Sequence, residues 1–534
     1  MDDISKLKLA LGKYIDFNYR RVLTQLDRDP SSPTYGCFDR NYWHYKIRDF
    51  PSAVLQQGVF LLDELRKGNI ESTGKEQLFR KLVLGCIEQT SRQIDSKGAL
   101  SEYYPYERGY PPAAFSLYAL TRILLDWQNS NIEGISKVNW KPIQKLYNHV
   151  LNREESKASN QQAIGLAGLY LGARLPNIKS DIKTIDKKLN KFLATQHEEG
   201  WFPEYGGSDL GYLSTTLDAL ADIVDCTQNK ECIKACDRAV DFYIRLLGSD
   251  NKLPSTLNSR NTDYVLPYGL VRIAKKNPMA SWLVHKLFEN SDSSDHFLWS
   301  TDDRYCCHYI FSSVVRAYSL LEQMATPETP RFKERDWLPG SGILIHRPST
   351  DITVFVGASK GGLLRIHKKG LVPQTDNGWR IVRGHHMWVS NWWSCNWDID
   401  YSNSSIKITG PCQRVSFFQA TPSKHLLLRS LAFILRQHLI PILKRLMIFR
   451  PNCANGPFYS REIHIKANEL SVVENIKQFP GAKLFRGPRQ NMRHVASADS
   501  FSDEEWTIRE YADEIISLNE SKVINTCWEL DKQL

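Results

Sequence analysis

Hydrophobic spacing in this chain changes once, near Trp337, and that change of period limits its folds more than any other feature of the sequence. From about Phe50 to Met324 apolar residues recur every three or four positions, as in Val54, Leu55, Val59, Leu61 and Leu62. This spacing lines one face of an α-helix. Similar runs at 78–94, 113–127, 143–151, 163–175, 182–193, 212–224, 233–247 and 309–324 bring the expectation to roughly ten helices. Beyond Trp337 come short alternating or β-branched runs bounded by Gly, Pro and Asn, at 342–346, 352–356, 363–367, 406–409, 415–418, 463–465 and 523–528. These read as strands. Helices followed by strands predict segregated units, and 534 residues exceed one ordinary core. No tight repeat runs through the helical half, which disfavours a solenoid. The expected fold class is therefore α+β and multidomain. It comprises an N-terminal helix with an aromatic and charged strap (1–49), an α/α-toroid of helical hairpins carrying catalysis (50–325), a linker (326–336) and an antiparallel β-sandwich (337–534).

The formal charge of +10 suits an anionic partner, and polyuronates, nucleic acids and anionic lipid all qualify. The 14 Trp and 23 Tyr favour sugar, because aromatic faces pack on pyranose rings, so an acidic polysaccharide is expected and nucleic acid is not. The first ten residues lack the charged-then-apolar layout of a signal peptide. The 11 cysteines are scattered rather than densely paired, which fits reduced thiols and a cytoplasmic setting. Neither Cys232 with Cys236 nor Cys306-Cys307-His308 has metal-ligand spacing, and GxSxG, Walker A and HExxH patterns are absent. No metal and no cofactor are expected. No stretch approaches twenty uninterrupted apolar residues.

One segment interrupts the strand pattern. Residues 424–450 carry Leu426, Leu427, Leu428, Leu431, Phe433, Ile434, Leu435, Leu443 and Leu446, with six basic residues and no acidic one. Two readings stand side by side: a basic amphipathic helix pair, broken near Pro441, lying on an anionic membrane, or a helical insertion packing its apolar stripe on the protein.

Candidate chemistry lies in loops rich in aromatic and charged residues. The strap at 35–58 includes His44 and either walls a sugar cleft or serves as an ion-paired brace. The loop SEYYPYERGYPP holds Tyr106 and Arg108, which suit ligand contact or loop anchoring. Asn160 and Gln161 open the run at 163–175, where a side-chain amide could cap the helix or neutralise a substrate carboxylate. The loop GWFPEYGGSDLGY places Trp201, Glu204, Tyr205, Asp209 and Tyr212 together. Arg260 and Tyr264 in NSRNTDY, and Arg304 with Tyr305, offer carboxylate and sugar contacts. Paired carboxylates for glycoside hydrolysis could come from Glu102, Glu107, Glu204 and Asp209.

The ensemble CFDRNYWHYKIRDFP, YPYERGYPPAAF, SNQQAIGLAGLY, GWFPEYGGSDLGYL and FVGASKGGLLRIHKKG resembles, in this order and over nearly the whole chain, the heparinase II/III-like polysaccharide lyases and uronyl C5-epimerases. It is similar above all to the heparinase-like proteins of bacterial surface-polysaccharide gene clusters. The resemblance implies that Asn160 neutralises the uronate carboxylate and that Tyr212 or Tyr205 transfers protons. Where the family shows Asn-His, this chain reads Asn160-Gln161, so His44, His308, His367 or the His385-His386 pair would have to supply any catalytic histidine. Of these, His385 is the expected catalytic histidine. The implied reaction is abstraction of the C5 proton of a uronic acid residue, ending in β-elimination or epimerisation. A glycoside hydrolase or a non-catalytic polysaccharide-binding protein are the other readings.

Overall fold

A computed structural model describes residues 3–530 except 258, 263, 302, 395, 416–418, 448–453, 467–468 and 487–515. The last three residues of the 424–450 segment, the end of the expected strand at 415–418 and the Tyr305 side chain lie outside this description.

Its helices are α1 (Asp3–Thr24), α2 (Arg40–Trp43), α3 (Val59–Arg66), α4 (Glu76–Gln93), α5 (Tyr110–Asn129), α6 (Trp140–Leu151), α7 (Ser159–Ala173), α8 (Ile182–Leu193), α9 (Leu210–Thr227), α10 (Lys230–Arg245), α11 (Pro267–Ala274), α12 (Pro278–Phe288), α13 (Asp303–His308) and α14 (Ile310–Tyr318). Two kinds alternate. In α7 nearly every side chain from Asn160 to Gly172 is buried, whereas α8 buries only Ile185, Leu189 and Phe192 along one stripe. A helix apolar all round must be enclosed, and an amphipathic one must lie outside it. Accordingly α3, α5, α7, α9, α11 and α14 pack side by side and close on themselves, while α4, α6, α8, α10 and α12 back them. The result is an α/α-toroid.

The inner helices run parallel. Leu266 and Gly269 donate backbone N–H groups to Ser214 and Asp218 in the same order along α9. In α7 a Cβ at Gly168 would sit 3.0 Å from the Tyr118 nitrogen, so glycine there lets α5 and α7 approach closely. The toroid axis is filled by a polar network. Arg316 donates to the Tyr118 hydroxyl (2.6 Å), and Tyr118 and Tyr268 both donate to Asp222 (2.6 and 2.7 Å). Parallel inner helices place all their N-termini, and the loops that precede them, at one end.

Helices α11 and α12 were not among the expected runs. Both begin at a proline, which reads as punctuation but is compatible with the first helical turn.

Among the described residues the second half forms three antiparallel five-stranded sheets. In one, β1 (Arg335–Leu338), β2 (Ile343–Ser349), β3 (Ile352–Gly357), β4 (Leu363–Lys368) and β5 (Gln374–Asp376) follow in order. The others hold β6 (Trp379–Arg383), β7 (His386–Val389), β10 (Gln413–Val415), β13 (Lys483–Arg486) and β14 (Ile516–Ser517), and β8 (Asp398–Tyr401), β9 (Ser405–Pro411), β11 (Phe458–Ile465), β12 (Glu469–Ile476) and β15 (Lys522–Glu529). The first sheet is buried on both faces: Ile343, Ile345, Phe355 and Leu363 join the toroid core, while Leu344, Val354, Val356 and Leu364 join the sandwich core. Alternation by two along each strand splits the residues in this way.

Helices α15 (Pro422–Leu435) and α16 (Leu439–Met447) form the basic segment. The break falls at Arg436, with φ 50° and ψ −125°, rather than at Pro441, which sits in the first turn of α16 where a missing N–H costs little.

Candidate active site

Loops entering the inner helices meet at one end of the toroid. A short antiparallel bridge joins Ala158 to Glu204, reinforced by the Tyr205 N–H donating to Lys157 O (2.7 Å) and Ser159 Oγ to Pro203 O (2.6 Å). This pairing sets the start of α7 against the glycine-rich loop. Tyr205 adopts φ 54° to complete the turn, a conformation uncommon for a residue with a Cβ.

Asn160 is buried, and its backbone N–H donates to Glu204 Oε2 at 3.3 Å. Its side-chain Nδ2 makes no hydrogen bond to the protein, although it lies near enough to Glu204 to favour that carboxylate's charge. Burial dominates nonetheless and, with Asp209 nearby, lifts the Glu204 carboxyl to about 8, against smaller opposing effects of Asn160 and Arg260. Glu204 is therefore protonated at neutral pH. The Arg260 guanidinium covers the Tyr205 ring at 4.4 Å, and its buried Nε and Nη2 find no acceptor. Uncommitted guanidinium donors of Arg260 and the Asn160 amide thus lie beside Glu204 and Tyr205.

Asp209 holds the arrangement in place. It caps α9 by accepting from the Tyr212 N–H (3.0 Å), and it also accepts from the Arg260 N–H (3.3 Å) and the Thr262 hydroxyl. Tyr212, half-buried, meets Tyr264 edge-on at 6.3 Å. Tyr264 shares a 2.8 Å hydrogen bond with the Tyr309 hydroxyl, and His308 lies against Tyr309 and takes a 2.8 Å contact from Gln57. Burial keeps the His308 imidazole neutral by pushing its pKa well down.

Arg304 reaches Glu102 at 3.8 Å and covers Tyr103. Burial, and then the neighbouring Glu107, raise Glu102 to about 8. Glu107 itself accepts the backbone N–H groups of Glu102 and Tyr103, which makes it a loop anchor.

The sandwich supplies the roof. Lys360, buried, donates to Thr256 O at 2.7 Å and to Asn261 Oδ1, pinning the loop that carries Arg260. Trp393 lies on the turn at Gly206 and Gly207, where a Cβ on Gly207 would come within 2.4 Å of its ring. The sequence reading missed Lys360, Asn261, Trp393 and Tyr309. The glycines around Lys360 and the adjacent tryptophans 392 and 393 were the available signals.

Of the residues singled out from sequence, Asn160, Glu204, Tyr205, Arg260, Tyr212 and Tyr264 are linked by these contacts. Gln161 follows Asn160 with its Oε1 buried and unbonded, and Arg304 stands on the Glu102 side. Others lie elsewhere. His385 occupies the exposed turn between β6 and β7 of the sandwich. Trp201 stacks on His197 and donates to Glu199 (2.8 Å), which in turn accepts from Gly340 and Ser341 across the toroid–sandwich seam. Arg108 is bonded to Asp95 at 2.6 Å, Tyr106 packs against Phe433, and His44 is exposed between Trp43 and Tyr45. Among the described residues no group of three or more His, Cys, Asp or Glu could hold a metal ion.

No family model and no curated protein matches the chain. Among solved structures it is similar to the Streptomyces coelicolor A3 chondroitin AC lyase in complex with chondroitin sulphate, at 9% identity over 90% of this chain and 68% of that one, with a TM-score of 0.52. Heparinase III also aligns, at 8% identity over 81% of this chain and 64% of that one, with a TM-score of 0.44. These structural neighbours are polysaccharide lyases, and at 9% identity the first likeness establishes the shared architecture of helical toroid and antiparallel sheets.

Proposed function

We propose that this protein is a polysaccharide lyase that removes the C5 proton of a uronic acid residue. The observation that carries the reading is the cluster of buried donors, Arg260 Nε and Nη2 without acceptors and the Asn160 amide beside Glu204, next to two tyrosines. Buried donors without partners are rare and costly, and a planar carboxylate is the group that the guanidinium fork of Arg260 satisfies. Neutralising the carboxylate acidifies the α-carbon, here C5. Tyr205 or Tyr212, as the phenolate left once its own proton has passed to solvent, takes the C5 proton, a C4–C5 double bond forms, and the C4–O bond breaks with its electron pair leaving on oxygen. A second proton, from the other tyrosine or from neutral Glu204, then goes to that oxygen. The neighbouring architecture of chondroitin AC lyase agrees with a lyase on an acidic polysaccharide. Gln161 has no ring nitrogen to act as base, and the tyrosines beside Arg260 and Tyr264 are the proton-transfer groups of this reading.

The test is incubation of the purified protein with a panel of polyuronates and glycosaminoglycans in deuterated water. Elimination gives ultraviolet absorbance from the new double bond. Deuterium at C5 without cleavage would reassign the site to epimerisation, which shares the first step. New reducing ends without absorbance would indicate hydrolysis, and binding without any change would leave a polysaccharide-binding protein.

A further inference from the structure

We propose that α15 and α16 seat this protein on an anionic lipid bilayer, with the 101–109 loop that they contact held near the membrane surface.

The pair has two faces. On the inner one, Ala432 and Leu439 are buried with Tyr104, Phe433 meets the Tyr106 ring edge-on at 5.3 Å, and Ile440 lies beside Gly109. Arg429 pairs with Asp49 of the strap. These contacts fasten the helices to the loop that enters α5 and carries Glu102. On the outer face Leu426 and Ile434 are each 70% exposed and Leu427 is 60% exposed. Leu427 and Ile434 are seven residues apart, two helical turns, so they project from the same side. A contiguous row of large exposed aliphatics on a helix is unusual for a soluble surface.

The charges select the partner. The segment 421–450 contains six basic residues and no acidic one, and Lys424 and Arg436 are exposed at the two ends of α15, which carries the apolar row. Aliphatic side chains in the acyl boundary, flanked by cations at the headgroups, are what an anionic interface takes up.

The 22 residues Pro422–Leu443 are also long and apolar enough to cross a membrane. Two features favour lying on it. The break at Arg436 divides the helix, and a spanning arrangement would strip Tyr104, Tyr106 and Asp49 of their contacts while drawing Arg429 and Arg436 into hydrocarbon.

The experiment is flotation of the full chain with vesicles of phosphatidylcholine alone or mixed with phosphatidylglycerol. The protein should rise with the anionic vesicles about tenfold more than with the neutral ones, and added salt should release it. Leu427→Asp with Ile434→Asp, both at exposed positions, should cut flotation by about tenfold or more, with circular dichroism and cleavage of soluble polymer unchanged. Lys424→Glu with Arg436→Glu should abolish the preference for phosphatidylglycerol. Absence of flotation, equal binding to both vesicles, or wild-type flotation of the aspartate variant would overturn the proposal. So would resistance to alkaline extraction, the mark of a spanning helix. Because flotation needs no turnover, its failure is separable from failure of the lyase reading.

Discussion

The Arg260 guanidinium lies 4.4 Å from the centre of the Tyr205 ring, and Tyr205 follows the glutamate whose carboxyl oxygen receives the Asn160 N–H. Cation and phenol are thereby held together by two loops that lie more than fifty residues apart in the chain. Arg260→Ala should lower kcat by on the order of a hundredfold, because its donors are asked to meet charge that grows as C5 loses its proton. Arg260→Lys should recover little, since an ammonium has neither the planar fork nor the same stacking on the ring. Asn160→Ala should behave like Arg260→Ala. Steady-state kinetics on a cleaved polyuronate decide the matter, and near-wild-type kcat in both alanine variants would leave the carboxylate without its assigned partners.

The two tyrosines separate by their supports. Tyr205 is under Arg260, whereas Tyr212 is in the first turn of α9 against Tyr264. Replacing each by Phe removes one oxygen and keeps the ring. The proton-transfer residue should lose about a hundredfold or more in kcat, with polymer binding retained. Full activity in both variants would move the proton chemistry elsewhere in the site.

Glu204 ties stability to pH. Its carboxyl is lifted by burial from an ordinary 4.5 to about 8 in the folded protein. Between those values the unfolded chain has released the proton and the folded chain still holds it, so the unfolded state binds fewer protons and stability falls as pH rises through the window. Glu102, raised to about 8 in the same way, adds to the trend. Glu204→Gln keeps a neutral side chain of the same shape. It should flatten part of the decline in melting temperature between pH 5 and pH 8, and a slope identical to wild type would show Glu204 to be ionised in the fold.

Sequence periodicity made the large divisions legible, because α7 and α8 differ so plainly in how far apolar residues encircle the helix. Short helices opened by proline, such as α11 and α12, did not stand out, since Pro267 and Pro278 look the same at a helix start as in a loop. In the site, Asn160, Tyr205, Tyr212 and Arg260 were visible as polar and aromatic residues in loops. Trp201 and Arg108 carried the same local signature, but their roles were set by Glu199 and Asp95, partners that spacing alone does not identify. Lys360 and Trp393 escaped for a related reason: each acts across the seam on a loop roughly a hundred residues or more away in sequence.

The seam can be tested at Gly207. A methyl there would press on the Trp393 ring, so Gly207→Ala should destabilise the protein by about 1–3 kcal/mol and loosen the Glu204–Tyr205 turn. Adding Trp393→Ala should restore part of that loss, a coupling that independent sites would not show. Additive melting-temperature changes in the double variant would mean that the ring and the turn do not touch.

Lys360 offers the sharpest separation of position from chemistry. Its ammonium donates to Thr256 O and Asn261 Oδ1, on either side of the segment that carries Arg260. Removing the charge with Lys360→Met keeps the length of the side chain and takes away the two hydrogen bonds it donates, at about 1–3 kcal/mol in all. The loop should then sample positions that take the Arg260 guanidinium off the Tyr205 ring. A misplacement on the scale of an ångström costs catalysis far more than binding. Lys360→Met should therefore lower kcat by at least about tenfold, with KM changed much less, in protein that is still folded at the assay temperature. Loss of KM alone would place Lys360 in substrate binding, and unchanged kinetics with only a lower melting temperature would reduce its role to holding the two halves together.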